Sequence, residues 1–136
     1  LLDMGVESYL IASTVNGILA QRLVRRLDPE TREAFEAPQE LIDEHELHRF
    51  TNERPILLYR PRVDISGSGY RGRSAITELL VMNEELRGLL MRHADASTLE
   101  QAARRAGLRT LQEEGFRQAV AGVTSLEEVL RVTRGE

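Results

Sequence analysis

The chain has 136 residues, 41% of them hydrophobic, and a formal net charge of −4. That bounds it to one ordinary domain or two small subdomains with enough apolar residues for a core. Its apolar runs are far too short for a membrane-spanning helix, and its acidity argues against a dedicated nucleic-acid binder. There is no cysteine and all 18 basic residues are arginine, which excludes disulfides, thiolate metal sites, a lysine-bearing P-loop and Schiff-base chemistry on this chain.

Leu1–Gly5 carries no secretory-signal pattern and reads as the middle of a domain. Val6, Tyr9, Leu10 and Ala12 recur at helical spacing and predict a short helix over 6–16, interrupted by Gly17. From Ile18 to Leu27 the apolar residues Ile18, Leu19, Leu23, Val24 and Leu27 fit a helix face as well as a strand, and periodicity leaves both open. All four prolines (Pro29, Pro38, Pro55 and Pro61) fall within 28–70, which marks an irregular inserted subdomain. Inside it, Gln39–Phe50 predicts one short helix with Leu41, Ile42, Leu47 and Phe50 turned inward, and Ile56–Tyr59 a short strand.

Residues 74–81 alternate as a strand. Ala75, Thr77, Leu79 and Val81 share one face; Ser74, Ile76, Glu78 and Leu80 share the other. Both faces are partly apolar, as in a strand of a covered sheet. Four short helices follow. Asn83 opens the first, with Glu84 and Glu85 in its first turn and Leu86, Leu89 and Leu90 as its buried stripe. Ser97–Glu100, Thr110–Glu113 and Ser125–Glu128 read as capping boxes, and Gly107 and Gly122 as helix ends.

The search for chemistry returns mostly negatives. His45 and His48 are three apart, not in the four-residue spacing of a zincin, and read as a solvated helix face before a metal pair. His93 reads as a dipole contact at a helix end or a packed side chain. Ser66–Gly69 reads as a flexible turn and not a phosphate cradle. No catalytic residue and no metal ligand set is assigned. One rival motif spans 98–121: Ala103 and Gly107 are spaced as in a helix-turn-helix, a DNA-binding alternative. Its second helix would begin Gln112-Glu113-Glu114, and those acids would repel a phosphate backbone.

Four segments occur in order: Leu1-Leu2-Asp3-Met4-Gly5-Val6-Glu7, Leu19-Ala20-Gln21-Arg22-Leu23-Val24-Arg25-Arg26-Leu27, Gly69-Tyr70-Arg71-Gly72-Arg73 and Ala121–Thr133. Together they resemble the C-terminal portion of a type II secretion ATPase, the general secretory pathway protein E group, whose close relatives assemble type IV pili. The resemblance covers essentially the whole chain. It implies an α/β fold: 1–27 and 71–81 as the distal part of a RecA-like P-loop NTPase core, 28–70 as the insert, and 82–136 as a C-terminal helical subdomain. It also favours strand for Ile18–Leu27. The implied protein is a cytoplasmic homo-hexamer, peripheral to the bacterial inner membrane, docked on secretion-platform proteins and free of nucleic acid. It would hydrolyse ATP with Mg2+ through Walker motifs absent from these residues, so this part alone is expected to be inactive.

By motif position Arg73, Arg71, Gln21 and Arg22 become candidates for a nucleotide-proximal or subunit-interface role. For Arg73 the alternative is a structural salt bridge, to Glu78 or to an acid of the insert. The family commonly carries two Cys-x-x-Cys pairs that hold zinc in the insert. Here those positions fall on Asp28, Thr31, Arg62 and Ile65, so no zinc is expected. The insert must then be ordered by Phe35, Leu41, Ile42, Leu47, Phe50, Leu57 and Leu58, or be poorly ordered.

Overall fold

The computed structural model describes residues 17–63 and 67–134; the helix expected over 6–16 lies outside them. The fold is mixed α/β. Strands β1 (Gly17–Leu27) and β4 (Tyr70–Val81) form a two-stranded ribbon, and β2 (Arg32–Glu36) and β3 (Leu57–Pro61) form a second, antiparallel one with Arg32 opposite Pro61 and Glu36 opposite Leu57. Five α-helices are described: α1 (Gln39–His45), α2 (Glu84–Met91), α3 (Ala96–Arg105), α4 (Leu111–Val120) and α5 (Leu126–Thr133). The periodicity of 18–27 resolves to strand. Gly17 lies against Leu80 and Val81 at one end of the long ribbon, while the Asp28 amide bonds the Gly69 carbonyl at 3.0 Å at the other, so β1 and β4 run antiparallel.

The alternation in β4 is clear, with Ile76 fully buried and Ala75, Thr77, Leu79 and Val81 exposed. The expected cover on both faces is therefore not found among the described residues: Leu79 is 54% and Val81 58% exposed. The reading of 39–50 as one helix also needs correction. Glu46 takes a left-handed conformation (φ 52°), its amide closes α1 on the Ile42 carbonyl, and a 3-10 turn over Leu47–Arg49 follows. The break carries Leu47 into full burial, and it ends the shared helix face that would have aligned His45 with His48.

The chain divides into two compact units: Leu1–Ala20 with Glu78–Thr110, and Gln21–Thr77 with Leu111–Glu136. In the first, Met82, Leu86, Ala102 and Ala103 form the core, with Leu80, Leu89, Leu90 and Leu108 packed on it. The Asn83 side chain caps α2 by accepting from the Leu86 amide at 2.8 Å. The box read at Ser97 is displaced: Asp95 caps α3, accepting from the Thr98 amide at 2.8 Å. His93 sits just past α2 in a left-handed turn (φ 55°).

In the second unit, Ala37, Leu47, Ile56 and Leu58 of the insert share one cluster with Phe116, Ala119 and Val120 of α4 and Leu126 and Val129 of α5. Phe35, Leu41, Ile42 and Phe50 of the expected apolar set pack against it. Much of the core around these insert residues comes from helices more than forty residues downstream in sequence. Two glycines make this packing possible. A side chain at Gly115 would collide with Val129, so α4 and α5 meet at closest approach there. Gly122 (φ 83°) ends α4 and receives the Arg32 guanidinium on its carbonyl, with Arg32 4.6 Å over the Tyr59 ring.

Candidate functional site

Three of the quoted segments meet on one buried carboxylate. Glu128, on α5, is 1% exposed. Its Oε2 accepts from the Arg25 amide at 2.8 Å, from Arg25 Nε at 3.3 Å and from Arg131 Nη2 at 2.8 Å. Its Oε1 accepts from Arg25 Nη2 at 3.1 Å and Arg131 Nε at 3.0 Å. The Arg25 guanidinium lies 4.2 Å from the centre of the Tyr70 ring, and the Tyr70 hydroxyl is 2.7 Å from Ser125 Oγ. Ser125 Oγ in turn accepts from the Glu128 amide at 3.1 Å, closing a ring of side chains through β1, β4 and α5.

The backbone follows the same plan. Thr124 Oγ1 donates to the Arg25 carbonyl at 2.7 Å, and the Leu27 amide donates to the Val123 carbonyl at 2.9 Å. The edge of β1 at 25–27 is thus satisfied by the α4–α5 connection. On β4, the Ala75 carbonyl accepts from Gln118 Nε2 of α4 at 3.0 Å. The two helices hold both strands of the ribbon at this end.

Burial opposes ionisation of Glu128, but the hydrogen bonds from Arg131 and Arg25 outweigh it and hold the carboxyl at about 2. The same bonds raise both guanidinium groups above their ordinary value. Glu128 is therefore a fixed anion at any physiological pH, with both oxygens engaged. It is not a proton shuttle and offers no free oxygen to a metal. Its role is to hold charge and orientation.

The four candidates named from sequence do not converge. Arg22 is exposed and donates to the Val132 carbonyl at 2.6 Å. Arg71, 71% exposed, lies 3.6 Å from Asp28. Gln21 is exposed. Arg73 is exposed, and neither salt bridge considered for it is formed: it has no hydrogen-bond or ion-pair partner among the described residues. Arg25, Tyr70, Thr124, Glu128 and Arg131 were missed as site residues although each stands inside a quoted motif. Ser125 and Glu128 were read as a capping box. Ser125 caps as expected, but the Glu128 carboxylate goes to two arginines, one of them 103 positions away.

The insert does not fit zinc. Of the positions where family members carry thiolates, Arg62 cannot ligate, and the Asp28 carboxylate is taken by the Glu30 amide at 3.0 Å and by Arg71. Thr31 Oγ1 is buried with no partner, but a neutral hydroxyl is no thiolate. No group of three potential ligands is assembled among the described residues. His45 stacks on Phe116 at 5.2 Å, which gives it a packing role, while His48 is exposed in the 3-10 turn. A DNA-reading α4 finds no support: Phe116, Ala119 and Val120 are core, and its first-turn acids pair with Arg49 at 2.7 Å and Arg117 at 3.6 Å.

Among the described residues, what the site shows is distant motifs locked together on an internal ion pair at Glu128. The chain belongs to the Type II/IV secretion system protein family, which its residues 1–131 match. It is 52% identical over 134 residues to type II secretion system protein E of Xanthomonas campestris pv. campestris, covering 98% of this chain and 24% of that protein. It is 39% identical over 136 residues to type II secretion system ATPase E of Vibrio cholerae, covering 98% of this chain and 26% of that one. To the type IV pilus assembly ATPase PilB of Thermus thermophilus it is 37% identical over 142 residues, with coverages of 96% and 15%. The chain thus spans about a quarter of the length of its type II relatives.

Proposed function

We propose that these residues are the C-terminal part of an ATP-hydrolysing motor that drives type II protein secretion. In this reading β1 and β4 are distal strands of a RecA-like P-loop core, and Mg2+ and ATP are bound by Walker motifs elsewhere in the longer protein. The motor is a homo-hexamer, cytoplasmic and peripheral to the inner membrane, that docks on secretion-platform proteins. No helix among the described residues is long and apolar enough to cross a membrane. The insert folds without zinc. The observation that carries the reading is the junction around Glu128, where three of the four segments that resemble the family's motifs meet although they are far apart in sequence.

Within the motor, Arg73 is the residue assigned to the nucleotide or subunit interface. Its turn is anchored at Tyr70, Gly72 (φ 74°) bends the backbone beside it, and its guanidinium is uncommitted. Arg73→Ala in the full-length protein is expected to leave melting unchanged and to lower ATPase turnover and secretion; normal values for both would remove Arg73 from the reading. The 136-residue chain alone is expected to show no ATP hydrolysis, since it has no lysine for the phosphates. Turnover that persists through rigorous removal of contaminating ATPases would contradict that.

A further inference from the structure

The insert carries a cavity of about 330 Å3 that the motor reading does not use. Its inner end is apolar: Ala37 and Ile56 are 6% and 3% exposed, with Ile42 beside them. Its mouth is polar, lined by Glu36, Asp43 and His48, all exposed. Glu36 has no hydrogen-bond or ion-pair partner among the described residues. The one cation in the lining, Arg54, turns its Nη1 back onto the carbonyls of Glu53 at 2.6 Å and Thr51 at 3.2 Å.

An apolar interior behind an uncompensated carboxylate selects a ligand with an apolar stem and a cationic tip. Among protein groups that is the description of a long basic side chain, whose methylenes prefer apolar surface while its head stays at the wet rim. Arginine fits better than lysine. Its planar fork can engage Glu36 and still donate to Asp43, which accepts one bond already, from Gln39 at 2.9 Å. The exposed Glu40 and Glu44 add to the negative charge of α1, the helix that carries Asp43, which favours approach of a basic segment. We propose that this cavity is a docking pocket for an arginine side chain presented by a partner polypeptide.

The test is a titration of the isotopically labelled 136-residue chain, followed by amide NMR shifts. Three capped tripeptides serve as probes: glycine–arginine–glycine, its neutral isostere with citrulline, and one with norleucine. The arginine peptide is expected to move the amides of Ala37, Ile42, Asp43 and Ile56 saturably. The citrulline and norleucine peptides are expected to bind about two- to fivefold more weakly, the difference one exposed charge pair supplies. Glu36→Gln with Asp43→Asn should weaken the arginine peptide by a similar factor and leave the rest of the spectrum in place, since both side chains are exposed. Equal binding of arginine and citrulline peptides, shifts spread over other surface carboxylates, or no shift at the cavity would each overturn the proposal. None of these outcomes bears on the motor reading, whose tests are turnover and secretion.

Discussion

The two units of the chain are held together by different means. The unit built from α2 and α3 has a small core in which two of four buried residues are alanine, and its helices are started by local caps at Asn83 and Asp95. The unit built from the insert, α4 and α5 has a larger cluster with Phe116, Leu47, Leu58 and Val129 at its centre, and beside it an ion pair buried on its acidic side. The helices of the first are started by local caps and pack on near neighbours in sequence, while the second is joined by contacts between residues sixty to a hundred apart. The segments that carry the family resemblance lie largely in the second. That is where a long-range interaction has to be encoded in specific residues and not merely in an apolar pattern.

The comparison is broken most directly at Phe116. Its ring centre lies 5.2 Å from that of His45 and 5.8 Å from that of Phe50, so it joins α4 to the end of α1 and to the residue that closes the 3-10 turn. Phe116→Ala is expected to lower stability by about 3–5 kcal/mol, read from chemical denaturation. In hydrogen exchange the loss should appear in β2, β3, α1, α4 and α5, with amides of α2 and α3 less affected. Uniform loss across both units would show that they unfold as one. If the insert rests on this packing, as proposed, a strong zinc chelator should leave the melting temperature of the unmodified chain unchanged; a drop would mean that His45, His48 or another group holds a metal.

The next largest effect is expected at Glu128, where the second unit has no counterpart in the first. Glu128→Ala leaves the Arg25 amide and two guanidinium groups without their acceptor. Arg25 and Arg131 are about half exposed and can turn to water, so the cost is roughly 2–4 kcal/mol and not more. Glu128→Gln, which keeps one acceptor oxygen, should cost less. The pH dependence has a definite sign. The carboxyl is at about 2 in the folded chain against 4.5 when unperturbed, so its contribution is complete above pH 4.5 and is lost as the pH falls toward 2. A shift of this size corresponds to roughly 3 kcal/mol. The unmodified chain should therefore lose stability steeply between pH 4.5 and 2, and the alanine variant should lose correspondingly less. Parallel acid profiles would mean that Glu128 titrates normally.

Much of the first unit was legible in the sequence because its causes are local: Asn83 before Glu84 and Glu85, the leucine stripe at 86, 89 and 90, and Gly107 just after α3. Where a local rule failed, another local residue had won, as with Asp95 over Ser97. The second unit was legible only in part. Six of the seven apolar residues expected to order the insert join the cluster, while Leu57 does not and the buried Ala37 and Ile56 lie outside that set, and nothing in the pattern of 28–70 says that Phe116 and Val129 complete their core. The break at Glu46 follows from the burial of Leu47, which periodicity alone does not weigh. The site shows the limit most clearly. Ser125-x-x-Glu128 is a sound helix-start signal, and the signal says nothing about a guanidinium 103 positions upstream.

The smallest expected effect sharpens the comparison from the other side. If the first unit rests on local chemistry, then removing a cap should be felt there and nowhere else. Asp95 accepts the Thr98 amide at 2.8 Å, and that bond, first from the backbone, lowers its carboxyl below the ordinary range. Asp95→Ala removes both the acceptor and the negative charge at the start of α3, where the helix dipole favours it, and should destabilise that helix start. Asp95→Asn keeps the acceptor and should recover most of the loss, since asparagine caps about as well. The expected readout is faster amide exchange in the first turn of α3 for the alanine variant, near-normal exchange for asparagine, and unchanged exchange in α4 and α5. If the alanine variant instead loosened α4 and α5 as much as α3, the local account of the first unit would fail, and the two units would have to be treated as a single cooperative structure.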